Sequence, residues 1–286
     1  MPDFVIRQPH SSVWASIGRP WGMLRVLVAN RALIWRMGSR DAMAPYRGAG
    51  LGTLWAVVQP LLTLGVYTFV FSVIFPSRWG QLGDAGDSGG FALHFFAGYV
   101  LFSFFGRVVE GSPWSVAARP ELVKRVVFPV EVLPVVSLAS PLVFVVIGVV
   151  LVGIGQIAIA GTFSVTLPLV VLVLVPLAMM ALGCAWVLAA VGVYIRDVRH
   201  IAAVAVQLLF FLTPIFYPLS AVPERFRWAI GWNPLTGAVE NGRRVLLHSE
   251  LPEWWTLGLS YVLGAVAMAA GYAVFGACRR GFADAL

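Results

Sequence analysis

Long apolar runs constrain this chain more than any other feature. Val57–Phe75, Val130–Ile154 and Leu167–Val193 hold a single charged residue between them, Glu131. A helix of about 20 apolar residues crosses the hydrocarbon core of a bilayer. Lipid offers no partners for backbone N–H and C=O groups, so each crossing segment must satisfy its own, which a helix does. A transmembrane barrel would show short alternating strands instead. At 59% hydrophobic and 12% charged residues, 286 residues cannot bury their apolar surface in a water-soluble fold. The expected class is an all-α integral membrane protein.

Runs and breakers place six spans near Gly52–Phe75, Phe91–Val109, Val130–Ile154, Leu167–Val193, Ile201–Leu219 and Thr256–Ala277. They form a transmembrane domain over residues 52–277, between a cytoplasmic N-terminal segment, 1–51, and a cytoplasmic tail, 278–286. Ser77–Gly90 reads as a turn-forming loop and Gly155–Thr166 as a short uncharged connection, while Pro168 and Pro176 are positioned to kink the fourth span. An even number of spans puts both termini on one side. That side collects Arg7, Arg19, Arg25, Arg31, Arg36, Arg40, Arg47, Arg107, Arg119, Lys124, Arg125, Arg196, Arg199, Arg279 and Arg280, leaving only five of the 20 basic residues opposite. By the positive-inside bias the termini are cytoplasmic. The net charge of +7 then reflects topology and contact with anionic lipid, not nucleic-acid binding. The first 20 residues lack the hydrophobic core of a cleavable signal peptide.

Lys124 is the only lysine, and its neighbourhood, Arg119-Pro-Glu-Leu-Val-Lys-Arg125, has no glycine. A Walker-A phosphate loop needs both residue types. The chain therefore binds no ATP by that route, and ATP-driven work requires a partner. Cys184 and Cys278 lie in or at the end of apolar runs, and the four histidines share no ligand spacing, so neither a disulfide framework nor a metal centre is expected. No cluster of carboxylates or histidines suits a membrane-embedded transferase, and no filter-like segment suits a channel.

Several segments carry candidate roles. From Trp21 to Arg40, Arg25, Ala29, Arg36 and Arg40 share one helical face opposite Leu27, Ile34 and Met37. This fits an interfacial helix and equally a plain basic leader. Pro120 suits a first helical position, Glu121 stands i+3 and i+4 from Lys124 and Arg125, and Pro129 ends the turn. A short charged helix results, suited to a groove in a soluble partner, though a charged cytoplasmic loop is ordinary. Arg196, Asp197 and Arg199 sit in the next inner loop as a local ion-pair cluster, a solvated turn or a partner contact. Tyr67, Phe71 and Phe75, then Phe91, Phe95, Tyr99 and Phe102, recur at helical spacing, with Phe210, Phe211, Phe216 and Tyr217 further on. Such rings suit either a conduit for sugar faces or plain helix packing. Between Pro218 and Glu253 prolines break an apolar stretch. Pro223 starts one short helix; Asn233 caps a second that begins at Pro234. Glu240 with Arg243 or Arg244 would stitch them into a lid over a pathway, with an interfacial loop as the alternative. On this reading Glu240→Ala is mild, whereas Trp232→Ala and Pro234→Gly loosen the lid.

Together these residues resemble the permease subunit of polysaccharide ABC exporters, the type-2 family that moves O-antigen and related lipid-linked glycans. The resemblance runs from about Tyr46 to the last span. It rests on Tyr46-Arg-Gly-Ala-Gly-Leu-Gly-Thr-Leu-Trp55, Gln59-Pro60, Tyr67-Thr-Phe-Val-Phe71, Phe128-Pro-Val-Glu-Val-Leu-Pro134, Tyr194-Ile-Arg-Asp197, Thr213-Pro-Ile-Phe-Tyr-Pro218 and Asn233-Pro-Leu-Thr236 with Glu240 and Arg243. Capsule and teichoic-acid permeases look similar; the 128–131 and 194–197 segments look more like the O-antigen branch. The resemblance implies an inner-membrane homodimer bound to two ATPase subunits that hold ATP and Mg, with no cofactor in this chain. It also implies a coupling helix before Phe128-Pro129, with Glu121, Lys124, Arg125, Arg196 and Asp197 as the expected ATPase contacts. Tyr67, Phe71, Phe95, Tyr99 and Phe102 are the expected conduit, and Trp232, Asn233, Pro234, Glu240 and Arg243 the expected outer gate. A drug or lipid exporter of the same fold is the alternative.

Overall fold

Every regular element among the described residues is helical, which is one of the two ways a chain in lipid satisfies its backbone. The structure is a computed structural model that describes residues 20–46, 48, 50–74, 88–124 and 128–286, and the side chains of all of these except 20, 21, 71–73 and 88. The basic leader is two helices, α1 (Pro20–Ala29) and α2 (Arg31–Ala42), meeting at Asn30, whose Nδ2 donates to Val26 O at 2.8 Å. Arg25, Ala29, Arg36 and Arg40 are exposed and Leu27, Ile34 and Met37 half-buried, as the amphipathic reading expects. Then come α3 (Trp55–Thr68), which runs on as a π-helical stretch, Phe69–Ile74, and α4 (Ser88–Gly111). Two single turns follow, α5 (Trp114–Ala117) and α6 (Pro120–Val123). Next are α7 (Val132–Val136), α8 (Ala139–Gly155) with a π-helical end at Gln156–Ala160, α9 (Val170–Tyr194) and α10 (Val198–Leu212). The short α11 (Glu224–Gly231) and α12 (Pro234–Leu247) precede α13 (Trp254–Cys278) and α14 (Phe282–Ala285).

Among the described residues four helical stretches are long and apolar enough to cross a membrane: Gly89–Gly111, Val132–Ala160, Leu167–Tyr194 and Trp254–Ala285. They fall on the expected second, third, fourth and sixth spans. The fifth needs correction. Its helix starts at Val198 and stops at Leu212, not Leu219, because Pro214 disfavours helical geometry at Thr213, whose backbone is extended with φ −94° and ψ 137°. Fifteen residues reach about 22 Å, short of a hydrocarbon core about 30 Å thick. The connection after the third span is also shorter than expected, since the helix continues to Ala160 and ends at Gly161 with φ 63°, a left-handed geometry that glycine adopts without strain.

The central element is α4: Phe95, Phe96, Ala97, Val100, Leu101, Phe104 and Val108 are all shut off from solvent, with α8, α10 and α12 packed around it. The most extensive pairing joins α9 to α13. Small residues let the two backbones touch: a Cβ on Gly271 would stand 2.1 Å from the Gly183 carbonyl oxygen. The segments that flank the two ends of the bundle sort consistently. At one end Asp41 of α2 pairs with Arg119, Arg279 pairs with Glu131, and Tyr194 Oη donates to Cys278 O at 2.8 Å. At the other, Ser164 and Thr166 both donate to Val245 O, at 2.7 and 2.8 Å.

Candidate functional site

Three sites assemble along α4. At its C-terminal end the chain turns back through α5 and α6. Pro120 opens α6 as expected, since its missing N–H is one the first turn leaves unpaired in any case. Glu121 and Lys124 are exposed, but no ion pair joins them; Arg125 lies outside the described residues. Arg196 and Asp197 are likewise exposed and make no ion pair among the described residues. The local ion-pair cluster is therefore not formed. Instead Arg199 stands over the Trp114 ring, 5.7 Å from its centroid, so the two turns neighbour each other. Their charged groups face outward together.

A cavity of about 400 Å3 opens between α3, α4 and α10. Tyr99, Phe102 and Phe210 close one end; Gln59, Ser103, Arg107, Glu110 and Gln207 give it polar walls. The guanidinium of Arg107 also rests 4.2 Å from the centroid of Phe144 on α8. Sequence reasoning missed this polar lining. Of the expected conduit residues, Tyr99 and Phe102 line this cavity, and Tyr67 and Phe95 continue from them as a packed aromatic cluster. Tyr67 lies 4.8 Å from Phe95 and 5.4 Å from Phe216 between ring centroids; Phe95 lies 5.6 Å from Tyr99, and Phe102 lies 5.2 Å from Phe210. Phe95 has no exposed surface and Phe102 has 4%. Phe71 is on the π-helical stretch after α3, with its side chain outside the described residues; Phe75 lies outside them altogether.

At the far end α11 and α12 form the two expected short helices. Asn233 caps α12, its Oδ1 accepting from Leu235 N at 3.0 Å, and its Nδ2 donates to Thr213 Oγ1 at 3.0 Å, so one side chain fixes both the start of α12 and the end of α10. Asn233→Ala is expected to lower stability by about 1–2 kcal/mol, read as a fall in Tm, while Asn233→Asp keeps the cap and recovers part of it.

The stitch is Arg243, not Arg244, which pairs with Glu250 at 3.2 Å. Arg243 is only 2% exposed. It donates to His94 O at 3.1 Å, to Ile215 O at 2.9 Å and to Glu240 Oε1 at 2.9 Å, tying α12 to α4 and to the chain after α10. Two expectations change. The Glu240 pair is half-buried, so its loss is not the mild event of a water-exposed pair. Trp232 is 83% exposed, so within this chain its ring is not packed against the bundle.

Residues 32–247 match the family model for ABC-2 type transporters. Over 269 residues the chain is 27% identical to the O-antigen export system permease protein RfbA of Myxococcus xanthus, covering 92% of this chain and 99% of that protein. A protein of the same name from Klebsiella pneumoniae is 23% identical over 252 residues, 87% of this chain and 92% of its own length. The polysialic acid transport protein KpsM of Escherichia coli is 23% identical over 231 residues, covering 79% and 85%. The family match runs from α2 to the last residue of α12 and so takes in the charged turn, the cavity, the aromatic cluster and the two short helices. The chain belongs to the ABC-2 type transporter family.

Proposed function

We propose that the chain is the permease subunit of an O-antigen-type exporter, which moves a lipid-linked polysaccharide across the bacterial inner membrane while a separate ATPase hydrolyses ATP. The observation that carries this is the stacking, along α4, of an outward-facing charged turn, a polar-walled cavity and an aromatic plug. The three parts supply a place to receive force, a place to hold a polar chain, and a seal that stacks on sugar faces when it parts. The exporter is a homodimer of six-span subunits, termini in the cytoplasm, with α3 and the shortened α10 completing the span count. A second copy closes the open side of the cavity. Two ATPase subunits carry all the ATP and Mg; α11 and α12 gate the outer end.

The test is genetic and biochemical. Deleting the gene is expected to abolish surface polysaccharide and to leave lipid-linked glycan on the cytoplasmic leaflet; unchanged surface glycan would overturn the reading. The likeness to a polysialic acid permease keeps a capsule glycan as the second reading, and chemical analysis of the stranded glycan separates the two.

For the cytoplasmic turn, reversing charge at Lys124 and Arg125 together is expected to cut co-purification with the ATPase at least tenfold with membrane insertion intact. An unchanged yield of complex, with unchanged hydrolysis and export, would remove the turn from the coupling surface.

A further inference from the structure

Two histidines 154 positions apart in sequence face each other at the lid end of the bundle. His94 lies in the second turn of α4 and His248 caps the C-terminus of α12; their Nε2 atoms are 3.3 Å apart. The Nδ1 of His94 is 2.8 Å from Gly90 O. As the donor to that carbonyl, Nδ1 carries the proton of the neutral ring, and the lone pair of Nε2 is then directed at His248. This backbone anchoring is how metal-binding histidines have their tautomer and orientation fixed.

The separation is itself informative. Two imidazole nitrogens at about 2.0–2.1 Å from one tetrahedral Zn2+ stand about 3.3 Å apart, the separation that the hydrogen bond between these two rings already sets. His248 also sits at the carbonyl end of α12, where the helix dipole favours a cation. Arg243 donates to His94 O and opposes a cation, but its charge is offset by Glu240. His94 is half-buried and His248 exposed, so water reaches the remaining coordination positions.

We propose that His94 and His248 form a two-histidine site for a divalent transition metal that favours imidazole, Zn2+ first among them, completed by water. Because the ligands come from α4 and from the end of α12, a bound ion staples the lid helix to the central helix. No third His, Cys, Asp or Glu joins them among the described residues, so the site binds more weakly than a closed structural site with four protein ligands.

Tag-free full-length protein in nanodiscs, dialysed against Zn2+, is expected to bind one ion per chain. His248→Ala, at an exposed position, should keep the metal-free Tm and weaken binding at least tenfold; His94→Gln should weaken it similarly, and His200→Ala should not. Zinc should raise the Tm of the parent but not of the double variant, and slow amide exchange from Leu246 to His248. No binding at 100 μM, or binding that survives the double substitution, would overturn the site. Binding without slower exchange would overturn the staple.

Discussion

Arg243→Met is expected to destabilise the protein by about 2–4 kcal/mol, the scale for removing a buried donor from two carbonyls and a half-exposed carboxylate. The guanidinium meets a carbonyl on α4, a carbonyl after α10 and a carboxylate on α12. A methionine of similar length fills the space but donates nothing, which leaves two carbonyls and Glu240 without their partner. The Arg243 Nη2 would be only 3.0 Å from a Cβ added at Gly98, so the guanidinium lies directly against the backbone of α4. Arg243→Lys should recover only part of the loss, because one ammonium cannot reach three acceptors with the planar fork's geometry. Trp232→Ala, at an exposed ring, should change stability by no more than about 0.5 kcal/mol. Thermal unfolding in nanodiscs ranks the three; amide exchange over 232–247 shows whether the loss is local. If Trp232→Ala proved the more damaging, the lid would be held by contacts made outside this chain.

Four of the spans were legible because lipid leaves only helices and closed barrels for backbone polar groups, and an unbroken run such as Leu167–Val193 fits only a helix. The proline-started helices were legible for a local reason: Asn233 and Pro234 specify a cap and a first turn whatever surrounds them. The early stop of α10 also had a local signal, Pro214, which the hydropathy of Phe210–Leu219 masked. Packing partners were the hidden part. Nothing in sequence spacing distinguishes an exposed Trp232 from a buried Arg243, because both stand in the same mixed stretch and their burial is decided by α4. The polar wall of the cavity had a faint signal. Tyr99, Ser103, Gly106 and Glu110 recur at three to four residues along α4 with Arg107 beside them, a polar stripe on an otherwise apolar helix. Its meaning depends on Gln59 and Gln207, which only the fold brings to the same place.

Phe95→Ala is expected to cost about 3–5 kcal/mol, the range for deleting a fully buried ring, and to open a leak. Phe95 has no exposed surface and stacks among Tyr67, Tyr99, Phe216 and Phe91, with centroids 4.8 to 6.1 Å away. Removing the ring leaves a void directly beyond Tyr99, the residue at which the cavity now ends. A void continuous with a polar-walled cavity hydrates more readily than an isolated apolar one, so the open space should lengthen towards α11 and α12. Phe95→Leu refills much of the volume and should restore both Tm and tightness in large part. The control is Val146→Ala on α8, a 62% exposed position outside the plug, expected to change little. Vesicles carrying Phe95→Ala should admit small hydrophilic dyes that the parent and the Val146 variant exclude. A lower Tm with vesicles still tight would assign the seal to α11 and α12 and leave the rings with a packing role alone.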